Sequence, residues 1–195
     1  MLNHIRPAVV MIALFTGVLG VAYPLAVTGV AQAAFPDQAN GSLVRDKAGQ
    51  VVGSALVGQA FSQPGYLHPR PSAAGDGYDA AASSGSNLGP LNPDLIARVK
   101  TDADALRAET GATVLPADAV TTSASGLDPH ISPAYAELQI ARIASARGVG
   151  EAQVREVIEH HVEGRTFGVL SQPRVNVLLT NMALDARFAR PAAEG

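Results

Sequence analysis

Cysteine is absent from the 195 residues. That excludes disulfide staples, Cys-based zinc sites and thiol chemistry, and it leaves the compartment open, because a domain of this size needs no disulfides. Lysine is nearly absent as well, with only Lys47 and Lys100. With a net charge of -3 and no basic run to track a phosphate backbone, nucleic-acid binding is excluded. No Gly-Lys-Ser/Thr follows a glycine-rich loop and no Rossmann fingerprint occurs, so the phosphate-cradling groups of both motifs are missing. There is no Gly-x-Ser-x-Gly elbow and no His-Glu-x-x-His helix.

Charge is what the first stretch lacks. From Pro7 to Pro36 no side chain is charged, a run of 30 residues rich in Ala, Val, Leu and Ile. A bilayer core about 30 Å thick needs ~20 helical residues. The span is placed from Ala8 to Val30, through Leu14, Gly17 and Gly20, whose glycines leave a shallow face for another helix. Pro24 is expected to kink that helix or end it early. Ala31-Gln32-Ala33 would suit a signal-peptide cleavage site, but the apolar run far exceeds the ~7–15 residues of a signal h-region. An uncleaved anchor is therefore expected. Arg6 before the span, against Arg45 and Lys47 diluted by acids after it, weakly favours a cytoplasmic N-terminus.

Three segments are expected: a tail and anchor over 1–36, a soluble domain over 37–187, and a disordered tail over 188–195. Gly and Pro total 32 residues, which suggests many turns rather than a helical bundle. Ser42 to Val57 reads as a β-hairpin turning at Asp46-Lys47-Ala48-Gly49. Gln59 to Pro90 is loop-like and too long for a plain connection, so it is functional or disordered. A helix starts at Asn92-Pro93-Asp94 and stops at Gly111, with Leu95, Val99 and Leu106 on its apolar face. A second runs from Ser132-Pro133 to Gly148 with Ala136, Ile140 and Ile143 inward. A third covers Glu151 to Val162, with Val154, Val157, Ile158 and His161 on one side. Val175 to Leu184 reads equally as strand or helix. The class is α+β, with one hairpin and three or four helices.

Candidate chemistry is sparse. Asp46-Lys47-Ala48-Gly49 looks like the phosphorylated Asp-Lys-Thr-Gly site of P-type ATPases, yet the chain is too short to hold the nucleotide domain and metal ligands that such a site needs. A polar turn explains it. Asp128 could orient the ring of His130 for acid–base work, with Ser123, Ser125 and Ser132 near in sequence; the competing reading is a rigid turn feeding the Ser132-Pro133 helix. The small-residue loop holding Ser86 and Asn87 is either an anion nest or a tight interface loop. Arg70, fixed between Pro69 and Pro71 beside Ser72, and Arg174 after Pro173 are placed to meet an acidic partner or to cap carbonyls. Asn176 and Asn181 lie in apolar surroundings, and buried amides need partners. His160 sits on an acidic helix face, so no metal site is read there.

Several of these segments occur together in one known family. They are Gln59-Ala60-Phe61, Arg70-Pro71-Ser72-Ala73, Ser84-Gly85-Ser86-Asn87-Leu88-Gly89-Pro90, Pro116-Ala117-Asp118, Ser125-Gly126-Leu127-Asp128-Pro129-His130-Ile131-Ser132-Pro133 and Pro173-Arg174-Val175-Asn176-Val177-Leu178. In this order, behind one span, they resemble the C chain of the Kdp-type potassium-transporting ATPases from the anchor to about Leu184. The family more often has Gly where Ser84 stands. The resemblance implies a non-catalytic accessory subunit of an ATP-driven potassium uptake pump in the cell inner membrane. It implies three partners: an ATP-hydrolysing P-type chain, a potassium-selective channel-like chain and a very small hydrophobic chain. It also implies help with assembly and a raised ATP affinity in the hydrolysing chain, hence a nucleotide-binding label, with no cofactor held tightly. A membrane-tethered periplasmic hydrolase using His130 and Asp128 is the alternative.

Overall fold

The computed structural model describes residues 4–189, so the last six residues of the expected tail lie outside the described residues. These fall into two compact units, one up to Val52 and one from Gly53.

The first unit is dominated by α1 (Ile5–Ala34), which is long and apolar enough to cross a membrane and has none of its apolar window buried. Pro24 does not end it. The turns ahead of the proline widen into a π-helix over Thr16–Ala22, where Tyr23 N donates to Val18 O. A proline has no N–H and its ring crowds the carbonyl four residues back. The wider turn gives that carbonyl room, and the helix resumes at Tyr23–Ala34. A short helix α2 (Pro36–Ala39) follows. The hairpin is β1 (Leu43–Arg45) paired with β2 (Val51–Ser54), which runs out of the first unit into the second. Asp46 is its turn residue: Oδ1 accepts from the backbone N–H of Ala48 and Gln50, both at 2.9 Å.

In the second unit α3 (Pro93–Thr110) begins where the capping residues require. Asn92 accepts from Asp94 N at 2.8 Å, and Gly111 closes the helix in a left-handed conformation. Its expected apolar face is only half covered. Ala103 alone is buried, while Leu95, Val99 and Leu106 are half-buried and Ile96 is exposed. The second expected helix is two, α4 (Pro133–Leu138) and α5 (Ile140–Arg147), broken at Gln139. The third, α6 (Glu151–His160), stops earlier than expected. His161 is its cap, with Nδ1 2.8 Å from Val157 O, and Val162 opens a strand. Val175 to Leu184 proves to be both readings in series, a strand and then the helix α7 (Val177–Arg187).

Three short antiparallel strands, β3 (His130–Ile131), β4 (Val162–Glu163) and β5 (Arg174–Asn176), form a sheet with β5 in the centre. Val175 pairs with Ile131 on one side and Val162 on the other. It is fully buried among Ile131, Tyr135, Ile140, Ile143, Val154, Val157 and Leu184.

The long segment after Gly58 is neither helix nor strand over most of its length, yet helix side chains tie it down. Asn181 accepts from Leu67 N at 2.7 Å and donates to Leu67 O at 3.0 Å. Gln139 does the same for His68, at 2.7 and 3.1 Å. Arg147, whose side chain is 0% exposed, donates to Gly65 O at 2.6 Å, pairs with Asp185 at 2.8 Å and lies over the Tyr66 ring. Arg142 donates to Pro64 O and Tyr66 O; its Nε lies 2.9 Å from Glu109 Oε1, close enough for an ion pair but misdirected for a hydrogen bond. Replacing Asn181 with the similarly sized leucine strands two backbone groups of Leu67, at about 1–3 kcal/mol for each. Chemical denaturation of the full chain in detergent is expected to show a large loss for Asn181→Leu and a far smaller one for the exposed Gln172→Leu.

Candidate functional site

Four of the residues singled out in the sequence, Arg70, Asp128, His130 and Arg174, converge around an open cleft of about 520 Å³ in the second unit. Its walls include Arg70, Asp118, Asp128, His130, Ser132 and Arg174. Four chain segments meet there, and local hydrogen bonds and ion pairs lock them.

Arg70 is three-quarters or more buried and uses its whole fork inside the protein. Nη1 meets Asp128 Oδ2 at 3.0 Å, Nε donates to Thr121 O at 3.1 Å and Nη2 to Thr122 O at 3.2 Å. Ser72 is the next clamp. Its hydroxyl donates to Gly126 O at 2.6 Å and accepts from the backbone N–H of Ala74 and Tyr78. The Tyr78 hydroxyl donates to Arg70 O, and burial, with Asp128 nearby, raises its pKa. Gly126 makes this crossing possible. It has φ +68, and a Cβ there would lie 2.6 Å from both Ala74 N and Ser84 O.

Asp128 is the hub. Oδ1 accepts from His130 N at 3.0 Å, and the His130 ring Nδ1 lies 3.5 Å away. Burial alone would raise this carboxyl. The His130 ring and backbone N–H, followed by Arg70, outweigh that effect and hold it below the usual carboxylate range. One residue past β3, Ser132 caps α4 by accepting from Tyr135 N at 3.0 Å, while its own O–H donates to Asp118 Oδ1 at 2.9 Å. Burial pushes the neighbouring Tyr135 hydroxyl up to about 12.

This arrangement binds the chain to itself. The Ser132 hydroxyl faces Asp118, Ser123 faces Ser125 at 3.4 Å, and Ser125 accepts from Leu127 N. None of them donates to the His130 ring, so the three-part relay of a serine hydrolase is not assembled. Arg174 pairs with Glu163 at 2.8 Å, so both guanidinium groups of the cleft are already neutralised. Asn176 accepts from Leu179 N to cap α7 and donates to Ala55 O at 2.9 Å. Ser86 and Asn87 stand apart from this cluster. Asn87 is exposed at φ +52, and neither side chain hydrogen-bonds a described residue. The neighbouring Ser84 N donates to Ser125 O, so their loop is stitched to the Ser125–Asp128 run.

Sequence reasoning passed over Gln139, Arg142, Arg147 and the acceptor role of Asp118. For Gln139 a signal existed, an amide beside the apolar stripe of Ala136, Ile140 and Ile143. For the two arginines none did, because nothing local distinguishes them from surface cations.

The pattern described as "K+-transporting ATPase, c chain" (KdpC) matches residues 5–186. The chain belongs to the KdpC family. A protein of Caulobacter sp. (strain K31) named "Potassium-transporting ATPase KdpC subunit" is 66% identical over 195 residues, covering 100% of both chains. Proteins of the same name from Caulobacter vibrioides (strain NA1000 / CB15N) and Myxococcus xanthus are 64% and 59% identical, covering 98% and 88% of their lengths. The KdpC match thus takes in the apolar helix, the hairpin and the whole cleft.

Two outcomes follow from this geometry. Gly126→Ala forces a Cβ into two backbone atoms at a left-handed position, a loss of about 2–4 kcal/mol by the overpacking and chirality terms. The thermal midpoint of the full chain is expected to fall by several degrees, with little change for Gly89→Ala, since a Cβ at Gly89 meets nothing within 4 Å and its backbone is not left-handed. The second concerns pH. Burial first, then the Arg142 charge, lower the pKa of His68; backbone acceptors at Gln63 and Ser62 and the Glu109 charge oppose this without reversing it. The unfolded chain therefore binds the proton more readily, and stability is lost as pH falls through the unfolded value of about 6.5 toward the folded one. His68→Gln is expected to flatten the stability curve in that window, read by calorimetry between pH 8 and 5.

Proposed function

We propose that this chain is a non-catalytic accessory subunit of a high-affinity, ATP-driven potassium uptake pump. Its partners are an ATP-hydrolysing P-type chain, a potassium-selective channel-like chain and a very small hydrophobic chain. The observation that carries this reading is the full-length KdpC match, which begins at residue 5 and so includes the uncovered apolar helix Ile5–Ala34. An apolar helix with no covering of its own is stable in lipid and against other membrane helices. The helix is a single-pass anchor in the cell inner membrane, with the N-terminus cytoplasmic and the folded domain periplasmic.

In that topology the domain cannot reach cytoplasmic ATP. Its role as a catalytic chaperone, assisting assembly and raising the ATP affinity of the hydrolysing chain, is then a coupling carried by the anchor and by contacts with partner chains. The domain itself holds no cofactor tightly, and ATP is met via or with the hydrolysing chain. The self-neutralised cleft supports this, since Arg70 and Arg174 already have carboxylate partners. The same domain sits over the extracellular mouth of the potassium-selective chain.

The test is a mild-detergent pull-down from potassium-starved cells through a C-terminal tag, with mass spectrometry and potassium-stimulated ATPase activity on the eluate. Elution with a P-type chain and a large channel-like chain, and loss of activity when this chain is deleted, is the expected result. Elution alone, cleaved near Ala33, would sink both the anchor and the subunit.

A further inference from the structure

The segment between β4 and β5 exposes apolar surface in a way the rest of the second unit's sheet does not. Phe167 is 88% exposed, Val169 74% and Leu170 58%. The tip is nonetheless held in one shape. Gly168 N donates to Arg165 O, Val169 N and Leu170 N donate to Thr166 O, and Thr166 bridges Leu170. Phe167 itself sits at φ +53 and Ser171 at φ +65. A bulky aromatic in the left-handed region is a conformational cost, and at 88% exposure its ring gains little packing against the described residues to offset it. The base of the tip is rigid: β5 passes from the Glu163–Arg174 pair straight into the buried Val175. Arg165 beside it is exposed, and its guanidinium has no partner among the described residues.

We infer that Phe167, Val169 and Leu170 form a preshaped wedge that inserts into an apolar cup on a partner chain of the pump, with Arg165 meeting a carboxylate on the rim. The inference rests on the subunit reading above. Shape and charge select this occupant. A lipid surface accepts any apolar tip and does not require a strained one, whereas a protein cup rewards a conformation fixed in advance. An anionic bilayer also demands several cations. The tip offers Arg165 alone, Arg174 at its base is paired with Glu163, and the chain carries a net charge of -3. A second copy would have to receive the wedge in its apolar groove along α3, between Leu95, Ile96 and Val99. That contact joins two different surfaces, so it would build a ring or an open filament rather than a two-fold dimer.

The absence of cysteine gives a clean reporter. Phe167→Cys in the full chain is expected to react with a water-soluble maleimide freely when the chain alone is held in lipid nanodiscs. In the purified pump the rate should fall at least tenfold. Phe167→Gly should raise the thermal midpoint of the chain alone, by relieving the left-handed aromatic, yet lower its recovery with the partner chains. Equal labelling rates in an intact pump would overturn the wedge while leaving the subunit reading standing. Protection in nanodiscs without partners would overturn it in favour of lipid, and concentration-dependent protection of the lone chain would do so in favour of self-association. Failure of the unaltered chain to co-purify with any partner would remove both readings.

Discussion

A few buried polar side chains reach across the second unit and hold backbone that cannot hold itself. Asn181 and Gln139 each present an amide to both polar groups of one residue, Leu67 and His68 respectively. An extended segment buried against helices must satisfy its N–H and C=O groups somewhere. Among the described residues no strand lies beside it, so helix side chains substitute for a sheet edge. Leu67 can then be fully buried, and the packing of α5 and α7 depends on it. Arg147 and Arg142 extend the same device to Gly65, Pro64 and Tyr66.

The cleft repeats the device at a second level. Arg70 holds the carbonyls of Thr121 and Thr122, Ser72 holds Gly126, and Asp128 holds both Arg70 and His130 N. The charged groups Arg70, Asp128 and Arg174 of the cleft are thus arranged for rigidity, each already paired. A preorganised, closed-shell surface suits a protein contact better than a reaction.

What was legible in the sequence follows the range of the interactions. Local signals read well: Asn92 and Ser132 as caps, Gly111 and Gly148 as stops, Asp46 as a turn residue, and the charge-free run as one long helix. Short-range ambiguity resolved into sequence: Val175 alternates as a strand for three residues, and Asn176 then caps the helix. What could not be read were contacts spanning more than 70 residues, such as Arg147 to Gly65 or Gln139 to His68. No local pattern separates a guanidinium that will be buried from one that will be solvated. The half-covered face of α3 escaped for the same reason, since periodicity says which residues share a face but not whether anything packs on it.

The π-helical stretch ahead of Pro24 has a geometric consequence for the anchor. In an α-helix each residue advances the side-chain direction by a constant angle, and a stretch of i to i+5 bonding advances it by less. The two halves of Ile5–Ala34 are therefore out of phase with a single helical wheel. Gly17 and Gly20 lie inside the π stretch, while Gly29 lies beyond it, so the glycines do not form one continuous groove. Seated in a bilayer as proposed above, the helix would present one azimuth in one leaflet and a rotated one in the other. One apolar helix can in this way offer two different faces along its length.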